Sequence, residues 1–340
     1  MSKPGAIGLT VLGALLALAV ALWWLLAMPG TGMRKPLPAL DAVEQELAVR
    51  LEADVRALAV DIGQRNLATG NSLARAADWI EARMREAGYQ PVRHRYTLQG
   101  AGAQRYAGHS AENLIAELPG TVRPGEIVVV GAHYDTVPGS PGANDNASGV
   151  AVLLALAERF AQRPQPRTLR FVAFANEEQP FFLSADMGSY AYARRSGKQG
   201  ERIVAMMALD GLGYYSVEPG SQRYPLPGLA IIYPNAADFI AFVTRVDDAA
   251  LLRQAIAAFR EAASLPSEGA ALPVGMADVA RSDHWSFWQH GFPAFLVTDT
   301  LPFRDPEYHR AGDTPERLDY ERMARVARGL VDVTAGLARP

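Results

Sequence analysis

The chain has 340 residues, 49% hydrophobic and 20% charged, with a formal net charge of −3 and a pI near 6.1. This is a globular composition with ample core, and the mild acidity gives no reason to expect nucleic acid as a partner. Cysteine is absent, which excludes disulfides, thiolate nucleophiles and cysteine zinc sites, so any metal must be held by His, Asp and Glu.

Residues 5–28 (GAIGLTVLGALLALAVALWWLLAM) carry no charge. As helix they would extend about 36 Å at ~1.5 Å per residue, enough for a ~30 Å hydrocarbon core, with Trp23 and Trp24 suited to its interface. The apolar run exceeds the usual h-region of a signal peptide. An uncleaved membrane anchor over 1–28 is therefore expected, with a cleaved signal segment as the alternative. Orientation is nearly a tie, Lys3 on one side against Arg34 and Lys35 on the other. Residues 29–40 read as a Pro/Gly-containing linker and 41–340 as one catalytic domain.

Helical spacing of apolar residues predicts a helix over 40–62 and a second over 72–89, with Ser72 as N-cap and Gly88 as stop. Strands are predicted at 113–120 and 126–135, the second nearly all apolar and therefore central. A helix at 148–162, a strand at 168–176, a helix at 187–197 and a strand at 202–210 follow. A helix-like stretch covers 247–264, and the chain closes with a strand at 293–299 and a helix at 319–338. Strands alternating with helices predict an α/β fold, a three-layer α/β/α domain with a mainly parallel mixed central sheet. The N-terminal transmembrane helix is additional to it.

In such sheets ligands collect outside the carboxyl ends of the strands. Three predicted strands end there on metal-capable side chains: His133 with Asp135, Glu177 with Glu178, and Asp210. Each has an ordinary alternative, respectively a structural histidine, a solvated helix start and a turn residue. Their shared edge makes a common site the better reading. Asp145 sits in the loop PGANDNASGV, where Asn144, Asn146 or Ser148 could equally cap the next helix. His309 lies in a polar loop before the Thr314–Pro315 helix signal. Two His and three to four carboxylates make a two-metal site of the kind that splits amide or ester bonds. Asp135 lies two residues after His133 and so on its face of an extended chain, where it can orient the ring. A surface turn acid is the alternative.

The stretches GAHYDTVPGSPGANDNASGVA, FVAFANEEQP, MMALDGLGY and YHRAGDTPERLDY resemble the di-zinc exopeptidases of the secreted bacterial aminopeptidase type. Their relatives include glutamate carboxypeptidase and glutaminyl cyclase. The likeness runs from about Asp61 to Leu330. It implies that Asp145 bridges two Zn2+, that His133 and Asp210 complete one metal's ligands, and that Glu178 and His309 complete the other's. It also implies Glu177 as general base and a cis peptide bond between Asp145 and Asn146. Mn2+ or Co2+ would also suit mixed His/carboxylate ligands. Asp283 and His284 fall where the family has a Ser-Asp-His run and are candidates for lining the site. His94, His109 and His290 fall in no ligand motif.

The implied substrate is a peptide with a free amino terminus. Carboxypeptidase, dipeptidase and glutaminyl cyclase activities are alternatives, and a non-catalytic receptor-like ectodomain is a more distant one. The family's secreted habit and the anchor together predict an extracytoplasmic catalytic domain. No Gly-x-Ser-x-Gly elbow or His-Glu-x-x-His helix occurs. The segments 179–187 and 211–281, including SQRYPLPGLAIIYPN, depart from the family and are expected to wall the substrate pocket.

Overall fold

Near-continuous apolar runs such as IVVVGA and LRFVAF can be buried only between two helical layers. In the computed structural model, which describes residues 12–17, 20, 23–30, 32, 33, 36–276 and 278–340, they form the centre of one sheet. Its strands are β1 (Val92–Thr97), β2 (Ser110–Leu118), β3 (Arg123–His133), β4 (Arg167–Phe174), β5 (Arg202–Leu209), β6 (Ile240–Arg245), β7 (Ser267–Leu272) and β8 (Ala294–Thr298). The order is β1-β2-β4-β3-β5-β8-β6-β7. The β4-β3-β5-β8 centre is parallel, and antiparallel pairs join β2 to β4 and β6 to β8.

The helices are α1 (Ala42–Arg56), α2 (Ser72–Glu86), α3 (Gly149–Phe160), α4 (Gly188–Lys198), α5 (Leu229–Ile232), α6 (Ala249–Ala262), α7 (His284–Gln289) and α8 (Tyr320–Leu337). Alternate β3 residues enter different cores. Val128 and Val130 pack with residues of α1, α2, α3, α6 and α8, whereas Ile127 and Val129 pack with residues of α4 and α7. The result is the expected mixed sheet with helices against both faces.

Most predicted elements are present, with three strands added. β1 (VRHRYT) is too charged to read as a core strand, and β7 (SEGAAL) has neither a β-branched nor an aromatic residue to mark it. β6 lies in the segment expected only as pocket wall. The first predicted helix is α1 followed by a π-helical turn, Ala57–Ile62, that ends at Gly63. Ser72 is the first residue of α2 rather than its cap, and its hydroxyl donates to Thr69 O at 2.8 Å.

The expected membrane-spanning helix over 5–28 lies partly outside the described residues, which here are 12–17, 20 and 23–28. Among the described residues no helix is long and apolar enough to cross a membrane. The end of that segment is tied to the domain. Arg253 of α6 donates to Trp24 O and Ala27 O at 2.6 and 2.8 Å. Arg260, two turns further along the same face of α6, donates to the carbonyls of Met28, Pro29 and Gly30.

Candidate metal centre

The parallel centre aligns the carboxyl ends of β3, β4 and β5, and each strand delivers its acidic or imidazole side chain at that edge. His133 is the last residue of β3, and its Nε2 lies 3.3 Å from both Asp145 Oδ1 and Asp210 Oδ1. His309 Nε2 lies 3.1 Å from both Asp145 Oδ2 and Glu178 Oε2. Asp145 therefore stands between the two histidines with one oxygen toward each. His133, Asp145 and Asp210 form one group able to hold a cation, and Asp145, Glu178 and His309 form another. His309 reaches the site from a left-handed backbone conformation, φ 62°, with Tyr308 stacked on its ring at 3.8 Å.

Glu177 and Glu178 separate at the end of β4. Asn176 takes φ 57°, a left-handed turn that asparagine tolerates, and the following side chains diverge. Glu178 faces His309, while Glu177 Oε2 is 4.0 Å from His133 Nε2. Asp135 acts on this turn more directly than on His133. Its two oxygens accept the backbone N–H groups of Glu177 and Glu178, each at 3.0 Å. It also faces His133 Nδ1, but at 3.5 Å, long for a hydrogen bond.

The Asp145 loop is held by residues whose roles the sequence did not reveal. Asp313 accepts the N–H groups of Asn144 and Asp145 at 2.7 and 3.1 Å. Asn144, Asn146 and Ser148, the alternative helix caps, stitch the loop to the chain beyond β5, and Asn146 Oδ1 also accepts Gly149 N–H at the start of α3 at 3.1 Å. Asn144 Oδ1 accepts Gly213 N–H, Asn146 Oδ1 accepts Gly211 N–H, and Ser148 Oγ accepts Leu212 N–H. Asp145 is thereby left free to face the histidines, and the Asp145–Asn146 peptide is cis. Arg65, completely buried, donates to the carbonyls of Tyr134, Pro141 and Gly142 at 2.8, 2.7 and 2.8 Å. Gly142 has φ +62° and no room for a Cβ, which would meet Thr136 Cγ2 at 2.3 Å.

His133, Asp135, Asp145, Glu177, Glu178 and Asp210 are all buried, and only His309 is partly open. Burial pushes the Glu177 carboxyl well up and, with the Asp145 charge, raises Glu178 to about 8. Burial also opposes the Asp145 charge, yet the hydrogen bonds of His133 and His309 hold that carboxyl below its ordinary value. Oε1 of Glu177 and Oε1 of Glu178 are buried without a hydrogen-bond partner. Buried acids this dense, with unsatisfied oxygens and two imidazoles, fit divalent cations. Zn2+ is suited to this donor set.

The remaining candidates lie outside both groups. Asp283 is buried nearby, its carboxyl raised to about 7 by burial. His284 donates from Nε2 to Val279 O at 2.8 Å. His94 accepts from Asn113 Nδ2 at 3.1 Å, His109 packs on Tyr106, and His290 packs on Tyr190.

Residues 113–334 match the model of "Peptidase family M28". YfbL of Escherichia coli (strain K12), described as uncharacterized, is 34% identical over 316 residues, covering 91% of this chain and 90% of YfbL. Leucine aminopeptidase 1 of Arthroderma otae is 28% identical over 282 residues, covering 78% of this chain and 67% of that one. The solved structure of BSAP, a zinc aminopeptidase from Bacillus subtilis, shares the fold at TM-score 0.64 and 17% identity, covering 88% and 95% of the two chains.

Proposed function

Because the chain belongs to peptidase family M28, we propose that it is a di-zinc aminopeptidase that hydrolyses the first peptide bond of peptides with a free amino terminus. The observation that carries the reading is Asp145, with one oxygen toward His133 and the other toward His309. One carboxylate between two imidazoles, each backed by a further acid, is a bridging arrangement for two cations. His133, Asp145 and Asp210 would hold one, and Asp145, Glu178 and His309 the other.

When bound, the two cations supply Lewis acidity for the scissile carbonyl and lower the pKa of the attacking water. The chain's own residues supply the rest. Glu177 takes the water proton on its free carboxylate oxygen and returns it to the leaving amine. Asp135, through the two backbone N–H groups, fixes where Glu177 and Glu178 point. The ligand carboxylates Asp145, Glu178 and Asp210 leave net positive charge against two dications, which favours a developing oxyanion. The surrounding acids receive the substrate's α-ammonium group.

Metal analysis of the purified full chain, paired with free and N-blocked aminoacyl substrates, tests this. About two zinc ions per chain and turnover of free-amine substrates alone are expected. Turnover of blocked substrates, or cyclisation of an N-terminal glutamine without hydrolysis, would overturn the aminopeptidase assignment. The same proposal attaches the chain to a membrane through residues 5–28, with the catalytic domain extracytoplasmic. A reporter fused after Pro340 that is active only in the cytoplasm would refute that placement.

A further inference from the structure

A groove of about 880 Å3, including its open mouth, leads away from the metal centre across the outer half of the sheet. Its course follows the strand register. Leu209 pairs with Val297, so Asp210 falls beside Thr298, which pairs with Ala241, which in turn pairs with Glu268. Asp210, Thr298, Ala241 and Glu268 thus occupy one row across β5, β8, β6 and β7, and all four line the groove. At ~4.8 Å between strands, the row spans about 14 Å from a metal-centre carboxylate to a second carboxylate. The two residues between them are small, which keeps the trough open.

The walls come from the segments that depart from the family. Tyr224 and Tyr233 stack at 6.0 Å between centroids. Their hydroxyls donate to Pro234 O and Gly269 O at 2.7 and 2.9 Å, so their polar atoms are satisfied and the rings contribute apolar surface. Leu229 of α5, Phe303 and Val243 extend that surface. At the far end Glu268 is an exception to it. Among the described residues its carboxylate makes no hydrogen bond, and its one ion pair, to Arg260 Nη2, is 4.0 Å long. Arg260 spends its donors elsewhere, on Ser267 and on the carbonyls of residues 28–30. Burial raises the Glu268 proton affinity, partly offset by Arg260.

An apolar trough that starts at the metal centre and ends on a partly exposed carboxylate, with no hydrogen bond among the described residues, matches an apolar stem with a cationic head. We infer that this groove receives the side chain of the substrate's amino-terminal residue and selects lysine or arginine, with Glu268 as the specificity-determining group. The flexible alkyl stem lies along Thr298 and Ala241 between aromatic faces, which also attract a cation. A wholly apolar side chain of the same length fills the trough but strips water from Glu268 without replacing it. The other cations at the groove do not compete. Arg223 donates to Pro302 O at the rim, and Arg281 is paired with Asp278.

This inference rests on the aminopeptidase reading, and one substrate panel separates their failures. The zinc-loaded full chain is assayed with lysyl, arginyl, norleucyl and glutamyl p-nitroanilides. A partly buried charge pair predicts a lysyl-to-norleucyl ratio in kcat/KM of about ten, falling to about one in Glu268→Gln. Calorimetry on the Glu177→Gln variant should show the same preference for lysinamide over norleucinamide, without relying on turnover. Norleucyl cleavage equal to or better than lysyl in the wild type, or a ratio unchanged in Glu268→Gln, overturns the specificity assignment alone. Failure to cleave any of the four overturns the aminopeptidase reading and this inference with it.

Discussion

Arg65→Met should cost this protein about 3–5 kcal/mol of stability and loosen the metal centre with it. The guanidinium has no exposed surface and makes five donations, all to backbone carbonyls: Tyr134, Leu58, Gly63, Pro141 and Gly142. Charge-assisted hydrogen bonds of ~1.5–3 kcal/mol each would sum to about as much as a typical domain's whole stability. Neighbouring bonds are not additive, however, and disrupting a buried charge network typically costs about 3–5 kcal/mol. Methionine fills much of the volume and returns none of the donors. Two of the stranded carbonyls, Pro141 and Gly142, lie just before Asp145, so zinc affinity should also fall about 10–100-fold, the usual effect of losing a ligand's support. Urea denaturation of the chelated protein measures the first effect, and competition with a zinc chelator the second. Arg65→Lys should fall between, because an ammonium keeps the charge but cannot fork to five acceptors. A chelated Arg65→Met protein within about 1 kcal/mol of wild type, with unchanged zinc affinity, would refute the reasoning.

Glu177→Gln should retain both zinc ions while kcat falls at least about 100-fold; near-normal turnover in a metal-replete variant would remove Glu177 from the proton-transfer role. Asp135→Asn replaces one of two accepting oxygens by a donor, so either the Glu177 or the Glu178 N–H loses its partner. A loss of about 10–100-fold in kcat/KM is expected, and unchanged kinetics would show that the turn is held some other way. His284 is fully buried, and burial lowers its pKa to about 4. The unfolded chain takes up that proton first as pH falls below about 6.5, so the native state loses stability between pH 6.5 and 4. Relative to His284→Gln, the wild type should lose up to about 1.4 kcal/mol per pH unit there; parallel denaturation curves across that range would contradict it.

His133, Glu178 and Asp210 were legible because each sits at the end of a strand whose apolar run is itself legible, whereas Asp145 and His309 lie outside the strands and were marked by their motif context. A strand's direction and its last residue together place a side chain at the sheet edge, and sequence supplies both. The residues that hold those ligands carry no such signal. Arg65 in GQRN is a lone cation in a polar stretch, and only the tertiary structure sets five carbonyls around it. Asp313 is 168 residues from the Asp145 N–H it accepts. The outer half of the sheet was hidden for a different reason. β7 is built of small and charged residues because its groove-facing side must leave space and end in a carboxylate, and that same composition removes the strand signature.

The adjacent acids at the end of β4 show how sequence and structure divide the information. Adjacency in an extended chain already requires Glu177 and Glu178 to point apart, so two different roles could be inferred from two letters. How far apart they point depends on Asn176 at φ 57° and on the Asp135 carboxylate that accepts both following N–H groups. Asp135 could be expected near His133 from its spacing, and it is near, but at 3.5 Å its firmer contacts are to the other strand. One carboxylate therefore links the end of β3 to the turn after β4, holding the two glutamates by hydrogen bonds while the His133 ring lies beside it at 3.5 Å. Any displacement of Asp135 must move the proposed ligand Glu178 and the proposed base Glu177 together, and for that reason its substitution should impair metal affinity and turnover at once.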